Sequence, residues 1–360
     1  MNPRIGVVTG GGDCPGLNAV IRAAAKAAHR RGWEAIGILG GYEGLLAPQQ
    51  TKLLAGELLA GLLVRGGTIL GTANQGKFSA KVGHGQSRRL PTELLDETKL
   101  GCEQLGLIGL VSIGGDGSLS IAQQMFEHGI SVVGVPKTID NDLAATVMTF
   151  GFDSAVACAT DALDRLHSTA ESHRRVMVLE VMGRYAGWIA IYAGLAGGAD
   201  VILIPEIPFH YESICKKVAE RQQAGKHFTI VVVAEGAKAA GGDYVTSAEQ
   251  SQQREARLGG IGAKVSAEIQ ELTGKESRCV VLGHLQRGGS PTNMDRALCT
   301  AFGAKAVELI ADRKFGQMVT FTGSQIASVP LSEATGELRR VPLGGGFVTA
   351  ARSMGICLGD

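Results

Sequence analysis

Residues 4–30, RIGVVTGGGDCPGLNAVIRAAAKAAHR, decide the fold. Arg4–Thr9 is a short apolar run of strand type. From Gly16 to Arg31 the spacing of Val20, Ile21, Ala24 and Ala28 places one apolar face on a helix. Between them stands Gly10-Gly11-Gly12-Asp13-Cys14-Pro15-Gly16, which holds no Lys-Ser/Thr of a Walker loop and does not fit GxGxxG. Strand, glycine turn and helix form the opening unit of a parallel α/β sheet. Glycines there let backbone N–H groups face an anion at a positive helix end. A tight βα turn without a ligand fits the same residues.

The same rhythm continues outward. Strands are expected at 36–39, 107–113, 132–135, 176–181, 201–204, 229–234 and 279–282. Helices are expected near 118–128, 153–172, 185–196, 212–224, 260–273 and 293–312, the last clear one. Alternation of this kind demands mostly parallel sheets covered by helices, with ligands gathered at the carboxyl ends of strands. Hydrophobic residues make up 45% of the 360 and aromatics only 5%, so the core is built from Val, Ile, Leu and Ala. The polar stretch 238–254 reads as an exposed loop. A lobe boundary falls near Phe150, with glycine loops before it and charged motifs after it.

The formal charge is +1, from 35 basic and 34 acidic residues, so no general field draws nucleic acid or anionic lipid. Seven scattered cysteines without a CxxC pair are expected to be reduced thiols of a cytoplasmic protein. The most apolar stretch, 188–205, is interrupted by three glycines and Asp200, and no membrane span is expected.

Three further groups of residues can carry chemistry. Gly114-Gly115-Asp116-Gly117-Ser118 repeats the strand-to-helix turn with a carboxylate inside it, able to hold a hard cation beside phosphates or simply to cap the helix. Pro136-Lys137-Thr138-Ile139-Asp140-Asn141-Asp142 follows another strand; Asp140 is a candidate base, and Asx turns are the plainer account. Arg174-Arg175, Met182-Gly183-Arg184, Arg278 and His284–Arg287 set cations around strand ends, where arginine suits bidentate phosphate contacts. Glu235 ends another strand and can accept sugar hydroxyls. Two glycine loops, a carboxylate and several arginines point to phosphoryl transfer, in which positioning and charge neutralisation dominate.

Together, GGGDCPGLNAVIR, GGDGS, PKTIDND, SHRR, MGRYAGW, VAEG and LGHLQRGGSP resemble the phosphofructokinase A family, in the same order and over Gly10–Pro291. Diacylglycerol and NAD kinases have a GGDG-like loop but lack TIDND and MGR in this arrangement. The resemblance implies two Rossmann-like lobes, an α/β fold with mostly parallel sheets between helices and the active site in the cleft between lobes. One lobe would take 1–150 and about 286–340, the other 151–285 and about 341–360. It implies a 6-phosphofructokinase transferring the γ-phosphoryl group of ATP, with Mg2+, to the 1-hydroxyl of fructose 6-phosphate.

Matched motif to motif, Gly12, Asn74, Gln75, Gly115, Asp116, Gly117 and Ser118 would bind the donor, with Asp116 on the metal. Thr138, Ile139, Asp140, Met182, Gly183, Arg184, Glu235, His284 and Arg287 would meet the sugar phosphate. Asp140, Thr138 and Arg184 would be catalytic. Arg175 and Arg278 match arginines given to a neighbouring subunit, so a homotetramer is implied.

Three departures qualify the match. Lys137 replaces the glycine usual in bacterial ATP enzymes and resembles the pyrophosphate-dependent branch. That branch pairs the lysine with Asp where this chain has Gly117; without that carboxylate ATP is favoured and pyrophosphate is the alternative. Asn74 replaces a donor-site arginine, a charge that Lys77 or Lys137 can partly restore. Arg22 matches an effector-site arginine, whereas Lys26, Gly56 and His167 stand where arginines usually occur, so control by ADP or phosphoenolpyruvate there is not implied. A non-catalytic sugar-phosphate sensor, the distant alternative, would be expected to lack Asp116 or Asp140, and both are present.

Overall fold

The computed structural model describes residues 2–73, 76–78, 89–246 and 258–360. Along the chain run β1 (Arg4–Thr9), α1 (Leu17–His29), β2 (Glu34–Ile38), β3 (Thr51–Leu53), α2 (Thr92–Gln104), β4 (Leu107–Gly114), α3 (Asp116–Glu127) and β5 (Val132–Pro136). Next come α4 (Phe152–His173), β6 (Val176–Val181), α5 (Trp188–Ala196), β7 (Val201–Leu203), α6 (Tyr211–Gln223), β8 (Thr229–Ala234), α7 (Ile261–Thr273) and β9 (Ser277–Val281). The chain closes with α8 (Asn293–Ala311), β10 (Gln317–Phe321), β11 (Ile326–Pro330), α9 (Leu331–Ala334) and α10 (Gly346–Ser353). Two compact units result: Met1–Ile139 with Leu143–Ser154 and Arg287–Leu338, and Asp140–Asp142 with Ala155–Gln286 and Arg339–Asp360.

In the first unit the described strands form one sheet in the order β11-β10-β5-β4-β1-β2-β3. β2, β1, β4, β5 and β10 run parallel, and only β3 and β11 turn back at the edges. β1 and β4 are buried along almost their whole length, as expected of parallel strands covered on both faces. Each fully buried Val, Ile or Leu contributes roughly 1.5–3 kcal/mol. Helix α8 lies against α1, and Gly303 makes the close approach possible: a Cβ there would stand 2.6 Å from the Val20 carbonyl oxygen.

Register decides where loops emerge. Thr9 lies beside Ile113, and Gly114 beside Pro136, so the segments after β1, β4 and β5 leave the sheet side by side. The order reverses direction at β1, and that switch point is where open α/β sheets bind ligands.

The second unit has a parallel sheet ordered β7-β8-β6-β9. Its core joins Val176, Val178, Val231 and Val233 to Ile214, Val218, Val265 and Ile269 of the covering helices. Ala234 pairs with Val181, and Val281 with Glu180, so the carboxyl ends of β8, β6 and β9 are again neighbours.

Most expected elements are present, with shifted ends. The helix expected from Tyr185 begins at Trp188, because Gly183 has φ 136° and the segment up to Gly187 is loop. β3, α2, the hairpin β10–β11, α9 and α10 were not expected. α2 carries little amphipathic signal: its TELLDETKLGCEQ buries only five positions, and Gly101 packs against the Leu45 carbonyl, where a Cβ would stand 1.9 Å away. The polar stretch from 238 is exposed at Gly241–Asp243, and residues 247–254 of it lie outside the described residues.

Where α4, α5 and α7 follow glycines, carboxylates from other elements take their first amides. Asp295, fully buried in the first turn of α8, accepts the Gly151 amide at 3.0 Å, the Ser154 amide at 2.9 Å and the Ser154 hydroxyl at 2.6 Å. Burial outweighs these donors and raises its carboxyl from 3.8 to about 6. The folded state therefore holds a proton that the unfolded chain has lost, and the stability from this group is complete below about pH 4 and lost as pH rises through about 6. Asp295→Asn is expected to remove that decline. Urea unfolding midpoints of both proteins between pH 4 and 7 check it; parallel profiles refute it.

Candidate active site

The Gly10–Gly16 loop is held by main-chain and side-chain contacts from all around it. The Gly10 amide donates to the Ile113 carbonyl at 2.9 Å, and Thr72 Oγ1 donates to the Gly11 carbonyl at 2.5 Å. Lys137 Nζ donates to the Gly12 carbonyl, and Arg287 Nη1 to the Asp13 carbonyl at 3.1 Å. A Cβ on Gly12 would stand 2.9 Å from Arg287 Nη1, so the guanidinium lies directly on this loop. The Cys14 thiol donates to the Phe150 carbonyl at 3.8 Å, and burial pushes that thiol up to about 12. Asn18, wholly buried at the start of α1, donates to the carbonyls of Arg65 and Gly66 and accepts the Ile69 amide.

Ser118 sits between two glycine turns. A Cβ on Gly10 would fall 2.6 Å from its Oγ, and one on Gly114 would fall 2.1 Å from its Cβ. Tyr42 secures the same turn: its hydroxyl pairs with Ser112 Oγ at 2.6 Å and donates to the Ser118 carbonyl at 2.9 Å. Asp116, half-buried in the first turn of α3, has its carboxyl raised by burial, partly offset by a hydrogen bond from the Gly336 backbone. Among the described residues no cluster of three His, Cys, Asp or Glu side chains forms a ready metal cage. Mg2+ ordinarily keeps waters and takes one or two carboxylates beside substrate phosphates, so one partly desolvated carboxylate among glycines is a fitting donor set.

The segment after β5 is folded tightly. Lys137 is 4% exposed and bridges to Phe150, and Thr149 Oγ1 donates to the Thr138 carbonyl at 2.6 Å. Ile139 is fully buried, which leaves its backbone for any ligand contact. Asn141 is left-handed, with φ 51°, an unusual state for a residue with a side chain.

In the second unit, Met182–Arg184, Glu235 and the turn from Gly283 to Gln286 start from neighbouring strand ends. Glu235 donates its amide to the Val181 carbonyl at 2.8 Å, and Gly236 donates to Gly183 at 3.1 Å. Gln286, 1% exposed, accepts the Met182 amide at 3.4 Å and donates to the Gly283 carbonyl at 3.2 Å. His284 is exposed. Gly236 is required where it stands, because a Cβ would come 2.0 Å from the Arg184 carbonyl oxygen.

Arg175 and Arg278 are placed elsewhere. Both bind Glu276, Arg175 Nε at 2.6 Å and Arg278 Nη2 at 2.5 Å, beside the amino ends of β6 and β9. Six residues of β6 separate Arg175 from Met182, roughly 23 Å of extended chain. Asn74 and Gln75 lie outside the described residues. Arg22, Lys26 and Gly56 line one cavity of about 570 Å³, which His29 and Arg30 line as well. His167 Nε2 is paired instead with the Gly197 carbonyl at 2.7 Å.

Lys137, Tyr42 and Gln286 were not singled out as anchors by the sequence. Their spacing carries no signal, since their partners are distant atoms, most of them on the backbone, brought close only by folding.

Two α/β units with glycine turns, a carboxylate and cations at their strand ends define a protein of the phosphate-binding, phosphoryl-transfer class. The phosphofructokinase family model matches residues 4–310. The ATP-dependent 6-phosphofructokinase of Chloroflexus aurantiacus is 54% identical over 357 residues, covering 99% of this chain and 98% of that one. The pyrophosphate–fructose 6-phosphate 1-phosphotransferase of Amycolatopsis methanolica is 50% identical, covering 94% of this chain and 96% of that one. Among solved structures, the phosphofructokinase of Saccharomyces cerevisiae matches with TM-score 0.79 and 30% identity over 92% of this chain, which spans 45% of the yeast chain. The pyrophosphate-dependent phosphofructokinase of Marinobacter aquaeolei shares the fold, with TM-score 0.81 and 21% identity over 99% of this chain and 92% of that one. The chain belongs to the phosphofructokinase family.

Gly236→Ala is expected to destabilise the protein by about 1–3 kcal/mol through overpacking against Arg184. Thermal unfolding of the variant measures it, and an unchanged midpoint would show that the backbone yields freely there.

Proposed function

We propose that the chain is an ATP-dependent 6-phosphofructokinase. It transfers the γ-phosphoryl group of ATP to the 1-hydroxyl of D-fructose 6-phosphate, giving fructose 1,6-bisphosphate and ADP. Likeness over nearly its full length to enzymes named for this reaction, 54% identical in that of Chloroflexus aurantiacus, carries the reading.

In this mechanism Gly12 and Gly115–Ser118 present backbone donors to the phosphates of ATP. Asp116 would hold Mg2+, which supplies charge neutralisation on those phosphates. Asp140 accepts the proton of the 1-hydroxyl as it attacks phosphorus, and Thr138 and Ile139 orient that hydroxyl from the same segment. Arg184 offsets charge on the transferring group. Met182, Gly183 and Glu235 hold the sugar, and His284 and Arg287 meet its 6-phosphate.

Gly117 supports ATP over pyrophosphate. Gly117 brings no carboxylate to the first turn of α3. Lys137 is buried, with its ammonium engaged on the Gly12 carbonyl, and its charge is directed into the loop. Pyrophosphate is the second reading, favoured by Lys137 itself and by the Amycolatopsis relative. Turnover of fructose 6-phosphate with each donor separates them: ATP is expected to give the higher kcat/KM. Gly117→Asp is expected to lower ATP use at least about tenfold by repulsion and obstruction. Preference for pyrophosphate in the unmodified protein overturns the donor assignment.

The same reading makes the enzyme a homotetramer. Arg175 and Arg278, at the far end of the sheet from Arg184, serve the 6-phosphate site of a neighbour. Edge strand β9 exposes Val280 and Val281 beside Arg278 and has no outer partner strand among the described residues, an edge of the kind that pairs with another chain. A cytoplasmic location accords with seven unpaired cysteines. Co-expression of an Arg278→Ala chain with an Asp140→Asn chain tests the shared site. Each alone is expected to be nearly inactive, while hybrids regain activity in sites combining an intact Asp140 with a neighbour's intact Arg278. Inactive hybrids refute the sharing.

A further inference from the structure

Arg339 begins the C-terminal segment of the second unit and touches the Asp140–Asp142 turn twice. Its backbone amide donates to the Asp142 carbonyl at 2.8 Å, and its Nη1 donates to the Asn141 carbonyl at 3.3 Å. On its other side it grips the start of α5. Its carbonyl accepts Trp188 Nε1 at 2.9 Å, and its guanidinium carbon lies 4.3 Å from the centre of the Trp188 indole.

That helix start is fixed in turn. Glu206 accepts the Gly187 amide at 3.0 Å and the Val341 amide at 2.8 Å, two residues beyond Arg339. A Cβ on Gly187 would fall 2.4 Å from Ile204 Cβ, so α5 begins in one place only. The segment 339–341 is therefore a clasp. One jaw holds the residues next to Asp140, and the other holds the helix that follows Arg184.

The turn needs holding. Asn141 is 2% exposed and left-handed at φ 51°, a state that costs on the order of 1–3 kcal/mol and persists only where its surroundings over-determine it. Arg339 supplies a donor to one carbonyl of the turn through its side chain and to the next through its backbone. A lysine keeps the charge but has neither the planar fork nor the flat face that lies on Trp188.

We propose that Arg339 is a positioning residue of the phosphoryl transfer: clasped between the Asn141–Asp142 carbonyls and Trp188, it fixes the turn that aims the Asp140 carboxylate. This rests on the reading of Asp140 as the base. Arg339 acts through that carboxylate, so its removal matters only while the carboxylate is there to be aimed.

The test is a double-mutant cycle in the full-length enzyme, reading kcat and KM for fructose 6-phosphate. Arg339→Met is expected to lower kcat by about tenfold to a hundredfold, the range for a displaced catalytic group. KM should stay within about threefold, since ground-state binding is not the target. Arg339→Lys should recover little of the loss. In an Asp140→Asn background, Arg339→Met should change the residual rate by less than about twofold, because the two residues then act as one. An equal loss in both backgrounds, or a kcat of Arg339→Met within about twofold of the parent, overturns the proposal. Should Arg339→Met fail to fold, Trp188→Phe removes the indole donor while keeping a ring, and the same cycle applies. Near-parental kcat in Asp140→Asn alone overturns the base reading instead, and that single variant tells the two failures apart.

Discussion

Main-chain amides at the starts of glycine-opened helices, and the buried carboxylates that receive them, hold the rest of this structure in place. Asp295 receives the first turn of α4, Glu180 receives Gly260 and Gly262 at the start of α7, and Glu206 receives Gly187 at the start of α5. Glycine at these positions gives clearance but no side chain with which to cap, and an unpaired buried amide costs about 1–3 kcal/mol. A carboxylate from another element removes that cost. It also locks two elements together in a way that apolar packing, being non-directional, does not.

The same economy of space governs the glycine turns of the first unit. Gly10 and Gly114 belong to different strands, yet both are glycine for the sake of one side chain, Ser118. The two glycine turns are thereby brought together at the switch point of the sheet, and Tyr42 pins the result through Ser112 and the Ser118 carbonyl. Lys137 and Arg287 reach the Gly12–Asp13 backbone from separate segments. Positive charge thus gathers at a loop that has no basic residue of its own.

Charge is distributed along the second sheet with equal consequence. Arg184 and Glu235 stand at its carboxyl end, while Arg175 and Arg278 share Glu276 at the other end. A strand of six residues is long enough to keep these groups apart. Within one chain they are two separate clusters.

Much of this was legible before folding was known. The strand–glycine–helix rhythm, the parallel sheets and the motifs around Gly12, Asp116, Asp140, Arg184 and Glu235 are written in local runs, because a strand, a tight turn and a helix face each depend on a few adjacent residues. The hairpin β10–β11 and helix α2 were missed, since their patterns are short or weakly amphipathic and tertiary packing defines them. Arg339, Tyr42, Gln286 and Asp295 could not be read at all: a lone polar residue has no periodicity, and its partners, mostly backbone atoms, lie up to about two hundred positions away. Composition and motif order by themselves determined the fold class and the family. Only the tertiary structure decided which side chains hold the loops, because clearance and hydrogen-bond direction are properties of space and not of spacing along the chain.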